Sequence, residues 1–231
     1  MTSIAKPTKI IFCIPGNSFT KEFITNWSFL LMHIERRPDI TFNLSFKYCC
    51  NIYAVRNMCL GVLPGKVSKN AKPFMGQLDY DYLMWIDSDQ VFNPTHFDRI
   101  LDRIQVSNYS IVSGTYRSIL SRDQVGLDTL VCRHRETDNR TMNFDELAKM
   151  ETDEYGLAEI YSNGFGWMMI KHGVFEALDY PWFREDHYID SDDYIRSPGE
   201  DIVFSEMSRD NGFKTYLDPT VVVGHEKSLV I

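Results

Sequence analysis

The sequence predicts an α/β protein built on a mostly parallel sheet flanked by helices. Three observations carry this. Strand-patterned and helix-patterned segments alternate from Lys9 to Tyr116. The apolar run Tyr82-Leu83-Met84-Trp85-Ile86 reads as a buried strand and delivers Asp87 and Asp89 at its carboxyl end, where open α/β sheets place their ligands. The composition, 44% hydrophobic and 24% charged over 231 residues, is that of a globular protein able to bury one substantial core, and a single domain is expected.

Lys9 to Pro15 is a first strand ending in Pro15-Gly16-Asn17, and Phe19 to Ile34 has the length and mixed apolar face of a helix. Thr41 to Tyr48 alternates as a second strand, and Ile52 to Val62 carries Ile52, Val55, Met58, Cys59 and Val62 at helical spacing. Leu63 to Leu78, with Pro64, Gly65, Gly76 and three lysines, reads as a loop. After the acidic strand, Asn93 and Pro94 form an N-cap and first helical residue for a helix to about Gln105, and Ser110 to Tyr116 is the next parallel strand. Beyond Arg117 the pattern becomes irregular. A strand is expected at Leu130 to His134, a short helix at Phe144 to Met150, a strand at Leu157 to Tyr161, and a surface loop at Arg184 to Pro198. No internal repeat is apparent.

The last helix opens on Ser197-Pro198-Gly199-Glu200, which fits a capping box with Ser197 as N-cap and Glu200 reaching back. That reading gives Glu200 a structural job and leaves Asp201 available. Gly212 ends the helix, and Thr215 to Val223 is extended, interrupted at Asp218-Pro219, before Gly224-His225-Glu226-Lys227.

A formal net charge of −8 disfavours broad nucleic-acid binding, which needs a basic surface. Cys13, Cys49, Cys50, Cys59 and Cys132 form no C-x-x-C pair or zinc spacing and read as reduced thiols. Ile10 to Ile14 is too short for a signal-peptide core, and nothing approaches a membrane span of about 20 residues. A cytoplasmic protein is therefore expected, and the sequons at Asn26, Asn43, Asn108 and Asn139 read as chance matches. The chain stops shortly after His225, which also suits one domain of a longer protein.

Two carboxylates at a strand end offer hard oxygen ligands to Mg²⁺ or Mn²⁺, ions commonly held by one or two protein carboxylates with phosphates and water completing the shell. Asp87-Ser88-Asp89 is also an ordinary polar turn. His225, after a β segment and a glycine, projects either as a structural imidazole or as a metal ligand. Asp201 suits either a helix first turn or a general base. Arg56 and Asn57 fit a solvated helix face as well as contact with a base or phosphate. Asn163-Gly164-Phe165-Gly166-Trp167 reads as a buried turn or as a close-approach segment with aromatics for sugar rings.

Several segments together resemble nucleotide-sugar glycosyltransferases of the GT-A fold, a Rossmann-like nucleotide-diphospho-sugar transferase fold, most closely the inverting family 2 type. Ile11-Phe12-Cys13-Ile14-Pro15-Gly16-Asn17 looks like the first strand and nucleotide-binding turn, Ala54-Val55-Arg56-Asn57 like the Ala-x-Arg-Asn helix, and Tyr82 to Phe92 like the Asp-x-Asp segment. Val112-Ser113-Gly114-Thr115-Tyr116 resembles the following strand, and Gly164 to Trp167 with Pro181-Trp182-Phe183 the donor and acceptor wall. Gly199-Glu200-Asp201-Ile202-Val203-Phe204, Gly212-Phe213-Lys214, Asp218-Pro219 and Gly224-His225 resemble the acidic catalytic helix and terminal metal histidine. The resemblance spans nearly the whole chain.

It implies a nucleotide-binding half at 1–117, an acceptor half at 118–231, Mn²⁺ or Mg²⁺ on Asp89 and His225, and Asp87 at the ribose or the metal shell. Pro15, Gly16, Asn17, Arg56 and Asn57 would hold the nucleoside, with Ser88 and Gly164 lining the donor site, and Asp201 would be the base. The implied activity is transfer of a sugar from a nucleoside-diphosphate sugar, a UDP-sugar foremost, to a carbohydrate or glycan hydroxyl with inversion. The Gln-x-x-Arg-Trp motif of processive synthases is absent from the sequence, and the lysines at 66, 69 and 72 have no secure counterpart. The rivals are a retaining enzyme of the same fold, a haloacid-dehalogenase-type phosphatase with Asp87 as nucleophile, a nucleotidyltransferase, and a non-catalytic sugar-nucleotide binding module.

Overall fold

The structure, a computed structural model, describes residues 6–63, 65–118, 129–135, 141–189 and 193–226. Pro64, Asn139, Lys227 and part of the expected Arg184 to Pro198 loop lie outside the described residues. The elements are β1 (Thr8–Pro15), α1 (Lys21–Ile34), β2 (Ile40–Lys47), α2 (Ile52–Cys59), a 3-10 turn (Pro73–Gly76), β3 (Tyr82–Ile86), β4 (Gln90–Val91), α3 (Pro94–Ser107), β5 (Ile111–Thr115) and α4 (Phe144–Ala148). There follow β6 (Ala158–Ile160), β7 (Trp167–Lys171), α5 (Val174–Ala177), β8 (Tyr188–Ile189), β9 (Ile195–Arg196), α6 (Glu200–Asp210), β10 (Thr215–Val222) and β11 (Gly224–His225).

Seven strands form one sheet in the order β2-β1-β3-β7-β5-β10-β6. Strands β2, β1, β3, β5 and β10 run one way, while β7 and β6 run against them. The period-two alternation of the strands buries both faces, as a mostly parallel sheet requires. On one face Ile10, Phe12, Met84 and Met169 meet Phe23, Trp27 and Leu30 of α1 and Phe97, Ile100 and Ile104 of α3. On the other, Ile11, Cys13, Leu83, Trp85, Met168 and Ile170 meet Cys59 of α2, Phe175 of α5 and Phe204 of α6. Among the described residues no helix is long and apolar enough to cross a membrane.

Helix starts follow the expected chemistry. The Thr20 hydroxyl accepts from the Phe23 N–H at 3.1 Å, Asn51 caps α2 through the Ala54 N–H at 2.9 Å, and Asn93 caps α3 with Pro94 at its first position. Asp218 marks the irregularity in β10, where the register against β5 shifts between Leu217 and Val222. Its buried carboxylate accepts from Arg99 Nε at 2.8 Å, Arg103 Nε at 3.3 Å and the Thr220 N–H at 2.9 Å.

Three expectations need correction, and the sheet holds one strand beyond those expected. Leu130 to His134 is not a strand: Val131 N–H donates to Tyr116, Leu130 N–H donates to Met142 while Met142 N–H donates to Cys132, and Arg133 pairs with Ser162, so no single partner sustains a ladder. Trp167 to Lys171 is a strand, and it separates β3 from β5 instead of leaving them adjacent. The Arg184 to Pro198 segment contains the hairpin of β8 and β9. The capping box at Ser197 does not form: Gly199 is the N-cap of α6 without a side-chain bond, because Glu200 is drawn to Arg56.

Candidate active site

The fully buried tail of β3 leads into a tight turn in which the Gln90 N–H donates to the Asp87 carbonyl at 3.1 Å. Short β4 then pairs antiparallel with β11, Gln90 opposite His225 and Val91 opposite Gly224, and the Glu226 N–H donates to the Asp89 carbonyl at 2.8 Å. This main-chain clip brings His225 Nε2 within 3.3 Å of Asp89 Oδ2. His225 Nδ1 lies 2.8 Å from the Arg117 carbonyl, an atom that only accepts, so Nδ1 carries a proton. Nε2 is thereby turned on Asp89 as the second nitrogen, the tautomer that metal-ligating histidines adopt. Tyr116 steadies the imidazole edge-on, with ring centroids 5.0 Å apart.

Asp87, expected at the ribose or the metal shell, is held in an ion pair. Its two oxygens accept from Arg56 Nη1 at 3.1 Å and Nη2 at 3.3 Å, and Arg56 Nε donates to Glu200 at 3.0 Å. Among the described residues Asp87, Asp89 and His225 do not gather into a three-ligand centre. The cause is Arg56, whose guanidinium is buried over the Phe165 ring at 5.0 Å and needs both carboxylates as counter-charges. Burial acts to lower its pKa, but Asp87 and Glu200 outweigh that and raise it above the ordinary value. Arg56 therefore ties the acidic turn to the first turn of α6.

Asp201 follows Glu200 on that turn. Burial, reinforced by repulsion from Glu200, pushes its carboxyl up to about 6, against a partial offset from the Ile202 N–H, which donates to Oδ1 at 2.8 Å. A carboxylate poised there exchanges a proton near neutrality, as a general base requires.

The Pro15-Gly16-Asn17 turn packs against the acidic turn. Gly16 has a φ of 150°, and a Cβ there would lie 2.6 Å from the Ser88 Cβ. Gly16→Ala is expected to destabilise the protein by about 1–3 kcal/mol through this overlap, read from the urea midpoint, and Ser88→Gly in the same chain should restore part of the loss. Pro15 is buried and Asn17 exposed. Asn57 is buried with its amide bonded to the carbonyls of Tyr53 at 2.8 Å and Phe183 at 2.7 Å, so it fixes the Phe183 segment. At Gly164 the space for a side chain is filled by Tyr116, whose ring carbon Cζ lies 3.1 Å from a built Cβ, and the close approach is to protein.

The aromatic wall is a correction. Phe165, Trp167, Trp182 and Phe183 are core side chains, 0 to 1% exposed. Phe165 supports Arg56 and Trp167 packs on Phe92 at 4.9 Å, so neither offers a face to a sugar. Two contributors escaped the sequence reading: Glu200, assigned to a cap, and Tyr116, whose position at a strand's carboxyl end was the signal available.

No protein-family model matches the chain, and no curated protein matches it. Among solved structures, the chain is similar to the crystal structure of A197 from STIV, with a TM-score of 0.55 and 17% identity, over 97% of this chain and 96% of that one. At that identity the likeness speaks to fold alone, and it covers both chains nearly end to end: the protein is a mixed α/β domain with a Rossmann-like, mostly parallel seven-stranded sheet.

Proposed function

We propose that the protein is a metal-dependent glycosyltransferase of the GT-A fold that moves a sugar from a nucleoside-diphosphate donor, a UDP-sugar foremost, to an acceptor hydroxyl with inversion. The observation that carries the reading is the pairing of Asp89 with His225 on one side of the Arg56 bridge and Asp201 on the other. Asp89 Oδ2 and His225 Nε2, with Nδ1 held on a carbonyl, fit a hard or borderline divalent ion such as Mn²⁺ or Mg²⁺, whose remaining positions a diphosphate and water would fill. Such an ion supplies charge neutralisation to the departing diphosphate.

The chain's own residues do the rest. Asp201 accepts the acceptor's hydroxyl proton as that oxygen bonds to the anomeric carbon, and the bond from that carbon to the diphosphate breaks with its electron pair leaving on the diphosphate oxygen. Arg56 holds Asp87 and Glu200 in place, so it aligns the acidic turn with α6. The same pairing tells against a phosphatase using Asp87, since a nucleophile bound through both oxygens to a guanidinium is deactivated.

The test is a thermal-shift series with UDP, GDP, ADP and dTDP, with and without Mn²⁺, because binding to the native state raises its melting temperature. A shift requiring UDP and Mn²⁺ together is expected; no shift with any pair sinks the reading. In His225→Ala the Mn²⁺-dependent part of the shift should weaken by at least about tenfold in apparent metal affinity, the low end for disturbing even an outer-shell partner. Retention of the donor's anomeric configuration in the product would rule out the inverting step.

A further inference from the structure

A cleft of about 780 Å³ runs along α6, and the glycosyl-transfer reading leaves its chemistry unexplained. Ile202, Glu206 and Arg209 line it as one stripe of the helix. Arg133 enters from the segment beside Ser162, and Arg196 with Tyr188 from the β8–β9 hairpin, so three guanidinium groups from three elements converge on one cleft in a chain of net charge −8. Two carboxylates, Glu206 and Asp210, also line it, and Glu206 accepts from the Tyr161 hydroxyl at 2.5 Å. Arg209 is anchored by Glu159 at 3.1 Å and the Ile160 carbonyl at 2.8 Å, yet its buried Nε–H has no acceptor among the described residues. Ser197 and Pro198, which lead into the turn carrying Asp201, also line the cleft, and Ile202 follows Asp201 directly. The cleft therefore reaches the first turn of α6, with Asp201 just outside its lining.

We infer that this cleft receives the acceptor, and that the acceptor carries an anionic group, a carboxylate or a phosphate, held by Arg133 and Arg196 while its hydroxyl faces Asp201. The inference rests on the proposed glycosyl transfer. Planar guanidinium forks match carboxylate and phosphate oxygens, and Tyr188 offers an aromatic face to a sugar ring.

The experiment is isothermal titration of the full chain, with UDP and Mn²⁺ present, using a uronic-acid disaccharide, a hexose phosphate and a neutral disaccharide, repeated on Arg133→Gln and Arg196→Gln. Arg209 is left alone because it holds the Ile160 backbone. At least one anionic sugar should bind more tightly than the neutral one, the stronger anion naming the source. Each substitution should weaken that binding by about tenfold or more with UDP and Mn²⁺ binding unchanged. Equal binding of neutral and anionic sugars, or wild-type binding in both variants, overturns the anionic acceptor while leaving glycosyl transfer standing. Displacement of the anionic sugar by UDP overturns the separate acceptor cleft. Anion binding without any UDP binding overturns the acceptor role together with glycosyl transfer.

Discussion

Asp201→Asn is expected to lower sugar transfer by about 10²–10⁴-fold, the usual contribution of a general base, while UDP and Mn²⁺ binding stays at the wild-type level. The wild-type rate should rise with pH through a midpoint near 6, the value to which burial and Glu200 push this carboxyl, because only the ionised form accepts a proton. The same substitution should make the protein more stable. A carboxyl near 6 in the folded state against an ordinary 3.8 favours the protonated fold, so its stabilising contribution is complete below about pH 4 and is lost as pH rises through 6. Asparagine removes that loss and should gain up to about 3 kcal/mol at pH 8 and little at pH 4. Urea unfolding at the two pH values reads it; equal midpoints for the two proteins at pH 8 would refute the desolvated carboxylate beside Glu200.

The largest loss of stability is expected from Arg56→Met. The substitution keeps most of the volume but leaves Asp87 and Glu200 partly buried without their shared counter-charge, an arrangement worth about 3–5 kcal/mol when one partner is removed. A companion with Asp87→Asn and Glu200→Gln added to Arg56→Met should recover much of the loss, because the missing charge balance and not the missing packing is the cause. Urea midpoints of the single and triple variants decide the matter. If the triple variant is as unstable as the single one, packing over Phe165 and Trp85 carries the site instead.

Much of the first half of the fold was legible in the sequence, because long alternating or helical patterns and capping residues such as Asn51 and Asn93 are local signals. What failed was non-local. Trp167-Met168-Met169-Ile170-Lys171 is a short apolar run with two methionines, which suits helix and strand alike, and only its position between β3 and β5 makes it a strand. The Glu200 cap was locally sound and lost to Arg56, 144 positions earlier. Asp89 and His225 were both singled out, but their meeting depends on a two-residue pairing of β4 with β11 that leaves no periodic trace. The aromatics of the Gly164 to Trp167 and Trp182 segments were visible as aromatics; whether they face a ligand or the core is decided by packing alone.

The antiparallel strand β7 also has a meaning for the order in which the molecule assembles. Without Trp167 to Lys171 the sheet is two separate triplets, β2-β1-β3 and β5-β10-β6, with no hydrogen bond between them. During synthesis the first triplet has all its strands once Ile86 is available, whereas β5 must wait for β7 on one side and β10 on the other. A break at residue 117 would therefore strand β5 with the wrong fragment. The two fragments should be insoluble alone and regain structure only when expressed together, since each would expose an unpaired sheet edge that the other covers.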